Sequence, residues 1–366
     1  REWSEERCLN ENVRNLIVNS MKFSETSLEN LKEVELDFSN FTHNTQLFFF
    51  PNNNVEVTPK EIIVHQRGDT AFNHYVWEEN VLKHNFKPLP DMFKLTCLDK
   101  ENNLYDIDVL DCKSSPIFGY VINTSRLHWR KEMEERFEDN PEEAKAYAEK
   151  HRFCINGEGL TEDEIREQKQ NLANKIFAIG YMLHRFKSPS RAWAPQAMDN
   201  KIGENGECNG RSGKSFLFKT LSLFMKSVKL SGRNPKLMDN PHVFDQVNVH
   251  TDFVLVDDCA QYLSMGLFYD IITSDMTINP KNNQSYSIPF EQSPKFAFTT
   301  NYVPADFDAS TEARLLYMVF SDYYHQQTES NDYIETRSIR DDFNRDLYTS
   351  DYPEKDWNAD INFLLQ

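Results

Sequence analysis

Gly203-Glu-Asn-Gly-Glu-Cys-Asn-Gly-Arg-Ser-Gly-Lys-Ser-Phe-Leu-Phe-Lys-Thr220 is the stretch on which the fold turns. Four glycines fall within eleven residues, and Lys214-Ser215 then opens an apolar run that reads as a helix from Phe216 to Val228. A flexible loop feeding a helix N-terminus suits an anion, because backbone N–H groups converge there and the helix dipole adds partial positive charge. Gly206, Asn209, Gly210, Arg211, Ser212, Gly213, Lys214, Ser215 and Phe216 form the candidate phosphate cradle. In such a cradle Lys214 reaches terminal phosphates and Ser215 meets the accompanying Mg²⁺. The strict spacing asks for glycine at 208, where this chain has Cys208; Gly206 and Gly210 bracket it in a slightly longer loop. The alternative is a Gly-Asn turn before an ordinary helix. Arg191–Met198, just upstream, reads as a strand despite Pro195, which gives the order strand, loop, helix.

Downstream, Ser227–Leu230 is a short strand candidate and Asn240–Gln246 a short helix. Asp252-Phe-Val-Leu-Val-Asp257-Asp258 follows. Four apolar residues in a row suit a strand buried on both faces. Two carboxylates at its C-terminal end ask for a cation or a proton to handle, unless they merely exit into solvent. After a helical run from Leu263 to Ile272, Met276–Phe290 reads as a hairpin with Lys281-Asn282-Asn283 at its tip. Lys295–Thr300 is a second buried strand leading to Asn301, and Arg314 precedes a third, Leu315–Phe320. From Asp322 to Gln366 the chain is acidic, with helical fragments around Ile339–Leu347 and Trp357–Leu365.

Upstream of the loop, residues 1 to about 40 carry apolar residues at helical spacing. Gln46–Phe50, Val55–Val57, Glu61–His65, Met92–Thr96 and Tyr105–Val109 read as short strands. Residues 115 to 186 return to helix: apolar from Pro116 to Trp129, densely charged from Arg130 to Lys150, then long from about 162 to 186 behind the capping-box sequence Thr161-Glu-Asp-Glu164. The expected domains are 1–111 (helical plus a small β-rich module), 112–188 (helical linker or collar), 189–325 (core) and 326–366 (C-terminal helical segment).

The 366 residues include 27 Phe and 15 Tyr, enough for substantial cores. The formal charge of −18 argues against a basic surface that coats nucleic acid, though not against a small, locally basic channel. Six scattered cysteines without C-x-x-C pairs read as reduced thiols in a cytoplasmic setting. No apolar run approaches the roughly 20 residues of a membrane span. Arg1 rather than Met leads the chain, so it reads as a piece of a longer protein.

Phosphate loop, acidic-ended strand, hairpin, Asn-ended strand and then an arginine: in that order the chain resembles the superfamily III helicases, AAA+-type motors of viruses, phages and mobile elements. It is most similar to the helicase part of phage or plasmid primase–helicases of the poxvirus/phage-P4 type. The likeness rests on Gly206–Ser215, Val254–Asp258, Met276–Phe290 and Phe296–Asn301, within about residues 190 to 325. Asp258 stands where many relatives have Glu. The resemblance implies an α/β fold, a P-loop AAA+-like core with a central, mainly parallel sheet, preceded by a helical and β-rich N-terminal region. It implies ATP and Mg²⁺ as cofactors, with Lys214 on the β- and γ-phosphates. Ser215 would ligate the metal, and Asp257 would hold it directly or through water. Asp258 would take a proton from the attacking water or orient it, and Asn301 would position that water or sense the γ-phosphate. Arg314 would act on a neighbouring subunit's nucleotide or pair with the acidic C-terminal segment; Arg191 and Arg211 are alternatives. Lys281, Asn282 and Asn283 would grip single-stranded DNA inside a homohexameric ring, or else form an ordinary exposed turn. A primase–polymerase domain in the same full-length chain, a phage or bacterial host setting and no membrane partner complete the implication.

Two other classes compete with an ATP-driven helicase. A replication initiator or scaffold would bind nucleotide and DNA without productive unwinding. A small-molecule P-loop kinase would need an acceptor-binding lid, and the hairpin between the acidic strand and Asn301 counts against it.

Overall fold

The computed structural model describes residues 13, 15–16, 19–20, 36–69, 72–137, 140–200, 211–234, 236–261, 263–302 and 313–366. The chain divides into two compact units, Arg1–Ser39 with Thr70–Tyr75, and Asn40–Asp69 with Val76–Gln366. In the first, Asp37 and His74 form an isolated parallel bridge, with the His74 ring 3.2 Å from the Asp37 carboxylate. Of the helices expected over residues 1 to about 40, Val13, Asn15 and Leu16 are helical, residues 19–20 and 36–40 are not, Asp37 being in the bridge, and the rest lie outside the described residues.

The second unit opens with a three-stranded antiparallel sheet, β1 (Gln46–Phe49), β2 (Asn53–Val57) and β3 (Ile62–Gln66), and a hairpin of β4 (Phe93–Asp99) and β5 (Leu104–Val109). Four helices follow: α1 (Pro116–Asn123), α2 (Trp129–Met133), α3 (Pro141–Lys150) and α4 (Glu162–Leu183). Then come β6 (Ala194–Asp199), α5 (Lys214–Leu221), β7 (Ser227–Ser231), β8 (Phe253–Cys259) and α6 (Gly266–Thr273). A small hairpin, β9 (Met276–Ile278) and β10 (Tyr286–Ile288), precedes β11 (Lys295–Thr300), β12 (Leu315–Phe320), α7 (Ile339–Phe343) and α8 (Glu354–Leu365).

The centre is a five-stranded sheet in the order β12-β6-β11-β8-β7, and every pairing in it is parallel. Side chains of a strand alternate between faces, so a parallel sheet covered on both sides needs apolar residues at nearly every position. In β8, Phe253 and Leu255 enter one core while Val254 and Val256 enter the other; β11 divides Ala297 from Phe296 and Phe298 in the same way. The first face carries α5 through Leu217, Phe218 and Leu221, together with α1, α4 and α8. The second carries α6 through Phe268 and Ile272, and the β9–β10 hairpin through Met276, Ile278 and Ile288. Each such buried side chain contributes about 1.5–3 kcal/mol. Helix α8 belongs to the first core, where Phe363 stacks on Phe118 with ring centroids 4.6 Å apart.

Several elements depart from the sequence expectation, among them four near or before the loop and core. The helix after the glycine loop ends at Leu221, not Val228: Ser222 turns its hydroxyl back to the Phe218 carbonyl at 2.9 Å, and the chain then feeds β7, where Val228 pairs with Val254. The charged run 130–150 is two helices, because Pro141 starts a new one behind an Asn140 cap. Asn240–Gln246 is turn rather than helix, with the Asn240 side chain accepting from the His242 N–H at 3.0 Å. Helix α4 stops at Leu183, before the expected 186, although its start has the expected capping box between Thr161 and Glu164.

Strand order sets where a ligand fits. From β6 the chain moves outward to β7 and returns through β8 and β11, then crosses β6 to place β12 on its other side. A crevice outside the carboxyl ends of the strands is the usual binding place in such sheets. Here those ends carry Asp199, Asp257, Asp258, Thr299 and Thr300.

Candidate functional site

Helix α5 starts at this carboxyl edge, with Gly213 as its N-cap at φ +97°. A side chain there would be strained, and its Cβ would lie 2.9 Å from the Tyr120 ring. The Tyr120 hydroxyl donates to the Gly213 carbonyl at 2.7 Å, so α1 braces the start of α5 from beneath. Ser215, in the first turn, donates to Asp257 Oδ1 at 2.7 Å. Thr299 donates to the same oxygen at 2.7 Å and accepts from the Asp258 N–H at 2.8 Å, so one hydroxyl fixes both neighbouring acids. Lys229 Nζ lies 2.6 Å from Asp257 Oδ2. Burial pushes the Asp257 carboxyl up, but hydrogen bonds from Lys229, Thr299 and Ser215 outweigh it and hold the group below its ordinary value.

Lys214 is buried and turned toward Asp199 at the end of β6, with Nζ 2.5 Å from Oδ1. Ser212 also donates to Asp199 and accepts from Lys214 at 3.2 Å. The structure thus seats the expected phosphate lysine against a carboxylate that sequence reasoning passed over. Asp258 takes a left-handed conformation, φ +57°, where the register between β8 and β11 shifts. Such bulges re-aim side chains. Its Oδ2 lies 2.5 Å from Arg233 Nε, which holds the guanidinium above its ordinary value, and Asn301 Nδ2 lies 3.5 Å from Oδ1. Arg233 is placed by Gly232, where a Cβ would lie 2.7 Å from the Cys259 Cα.

Lys214, Ser215, Asp257, Asp258 and Asn301 are therefore gathered at one edge, with Ser212 and Phe216 beside them. Arg211, exposed at φ +61°, directly precedes Ser212. Gly206, Cys208, Asn209 and Gly210 lie outside the described residues. Arg314 is not brought to this edge. Its carbonyl accepts from Ala194 N at the start of β6, its guanidinium lies 5.3 Å over the Tyr269 ring, and Arg191 ends a short 3-10 helix just before β6. A strand the length of β6, rising about 3.3 Å per residue, separates Arg314 from Asp199.

The β9–β10 hairpin is anchored at its base and open at its tip. Met276, Ile278 and Ile288 are fully buried, and the Tyr286 hydroxyl donates to the Val247 carbonyl at 2.9 Å. Lys281, Asn282 and Asn283 are exposed in the turn, with Asn282 at φ +63°, a conformation Asn tolerates.

Among the described residues no group of three or more His, Cys, Asp or Glu side chains could hold a metal by itself. The donors present, one hydroxyl and one carboxylate, fit Mg²⁺, which keeps most of its shell as water and substrate phosphate. Among the described residues no helix is long and apolar enough to cross a membrane. Cys97, Cys112, Cys154 and Cys259 are free thiols.

Asp199, Thr299, Lys229, Arg233 and Tyr120 escaped the sequence reading. Asp199 and Thr299 carried the signal that exposed Asp257, a polar residue closing an apolar strand. Tyr120 carried none, lying 93 residues from its partner.

No protein-family model matches the chain, and no curated protein does. Solved structures that match include two of JCV helicase, at 12% identity with TM-score 0.30 and at 11% with 0.27. Each covers 56% of this chain and 45% of the other. The NrS-1 C-terminal region matches at 10% identity and TM-score 0.32, covering 90% of this chain and 69% of that one. The chain thus spans less than half the length of the JCV helicase chains.

Proposed function

We propose that the chain is a superfamily III-type motor that binds ATP with Mg²⁺ at the carboxyl edge of its parallel sheet. Hydrolysis there would drive movement along single-stranded DNA during replication of a phage or mobile element in a bacterial cytoplasm. The observation that carries the reading is the 2.7 Å contact between Ser215, in the first turn of a glycine-led helix, and Asp257, at the end of a doubly buried strand.

Phosphoryl transfer to water needs charge neutralisation and an aligned water more than covalent help. Lys214, released from Asp199, supplies the charge for β- and γ-phosphates. Ser215 and Asp257 would hold Mg²⁺, which would supply further charge neutralisation for the phosphates. Asp258 orients or deprotonates the water, with Asn301 beside it. In this reading Arg314 serves a second copy in a homohexameric ring, in keeping with its place at the far edge from its own chain's site. Lys281, Asn282 and Asn283 contact DNA phosphates, a sequence-independent and salt-sensitive interaction. A primase–polymerase domain in the full-length protein belongs to the same proposal.

The runner-up, an initiator or scaffold that binds nucleotide and DNA without unwinding, is favoured by Asp199, whose carboxylate competes with phosphate for Lys214. ATP turnover with and without single-stranded DNA separates the two. The motor predicts stimulation that disappears in Lys281→Ala while basal turnover remains. An unstimulated wild type favours the scaffold, and no nucleotide binding at all sinks both.

A further inference from the structure

Three cations sit on three carboxylates at the carboxyl edge: Lys214 on Asp199, Lys229 on Asp257 and Arg233 on Asp258. They are held very differently. The Lys214 side chain is 7% exposed, so moving it costs desolvated contacts, whereas the Lys229 side chain is 64% exposed on the edge strand β7. Lys229 faces Leu255 in the parallel pairing and reaches diagonally to Asp257. The Asp257 side chain is 12% exposed, and its other oxygen already accepts from Ser215 and Thr299. A cavity of about 380 Å³ lies beside Lys229, bordered by Ser215, Lys219 and Leu255. The ammonium therefore has room to leave.

We propose that Lys229 is a displaceable counter-cation. It occupies the cation position on Asp257 and must yield it before a divalent metal can share that carboxylate with Ser215, and this exchange sets the metal concentration at which the site loads. The inference rests on the functional reading above and adds a residue to it that acts by competition, not by contact with the nucleotide. Lys229 sits on Oδ2 and Ser215 on Oδ1, and two cations on the two oxygens of one carboxylate are close enough to repel strongly. An exposed lysine gives way at small cost, since exposed ion pairs contribute about 0.2–1 kcal/mol.

The test is direct metal binding to the whole chain, using Mn²⁺ as the probe and counting free ion by electron paramagnetic resonance. Lys229→Ala is expected to bind Mn²⁺ about fivefold more tightly than wild type, the upper end for release of such a pair. Lys229→Arg should stay near wild type. Lys219→Ala removes an exposed cation from the same cavity without touching Asp257, and it should change affinity far less. Equal gains in Lys219→Ala and Lys229→Ala, or no gain in Lys229→Ala, overturn the proposal. A fluorescent ATP analogue bound by the same samples keeps the two readings apart. If the analogue binds but Mn²⁺ affinity ignores Lys229, only the counter-cation idea fails. If the wild type binds neither analogue nor Mn²⁺, both fail. Thermal unfolding in a chelator confirms that the variants are folded.

Discussion

Two pairs of lysines, one at each end of the central sheet, are held in opposite ways. At the carboxyl edge Lys214 and Lys229 each meet a carboxylate. At the amino edge Lys295 and Lys187 are buried against carbonyls, a hydroxyl and aromatic rings. Lys295 donates to the Tyr181 and His184 carbonyls at the end of α4 and lies 3.8 Å from the Tyr181 ring centroid. Lys187 donates to the Ser293 hydroxyl and lies 4.3 Å from the Phe290 ring centroid. Burial depresses both amines, helped by the neighbouring cations. A lysine that caps carbonyls is committed, because nothing else satisfies those acceptors once it moves. A lysine held by an anion can exchange that anion for another, phosphate included. Burial and a perturbed amine therefore do not by themselves mark the working cation in this fold; its partner does.

Replacing Lys214 is the strongest way to break this contrast. Lys214→Met should lower nucleotide turnover by about 10²–10³-fold, the usual cost of losing one charge-stabilising group. It also strands Asp199, so unfolding should occur at lower denaturant. The double variant Lys214→Met/Asp199→Asn should recover the stability and not the turnover. Turnover that survives in either variant would remove Lys214 from the chemistry.

At the other end the expected effect is on folding alone. Lys295→Met keeps most of the stem volume but orphans two carbonyls, which should cost about 3 kcal/mol in chemical unfolding. Turnover per folded molecule should match wild type. A variant of full stability and lost activity would reverse the assignment of the two edges.

How far the sequence disclosed these edges follows from the range of the forces involved. Val254–Val256 and Phe296–Phe298 announced buried strands because a doubly covered strand has to be apolar throughout. The glycine loop, Asp257 and Lys281 were legible because polar residues interrupt or end those runs. The end of α5 at Leu221 was not, since Val228 is claimed by a pairing with Val254, 26 residues further along the chain. Nor were Asp199 beside Lys214, Tyr120 beneath Gly213 or the position of Arg314 at the amino edge. Those are matters of strand order, and one sequence does not carry the order β12-β6-β11-β8-β7.

The finest test of the contrast is a pH dependence assigned to Lys187. Burial first, then Arg185, lowers its amine to about 7, with Glu291 opposing. The unfolded chain restores an ordinary lysine near 10.5. Below pH 7 both states hold the proton, and the desolvation penalty on the charged amine is fully felt. Between pH 7 and 10.5 only the unfolded state holds it, so unfolding takes up a proton and stability rises with pH. The contribution cannot exceed about 1.4 kcal/mol per pH unit. Lys187→Met leaves Lys295 in place and an apolar stem on Phe290, and should remove that slope. Urea unfolding of both proteins at pH 7, 8 and 9 measures it: the wild type should gain on the variant at each step. Parallel pH profiles would mean that Lys187 keeps an ordinary amine in the folded chain, and the amino edge would then hold an exchangeable cation after all.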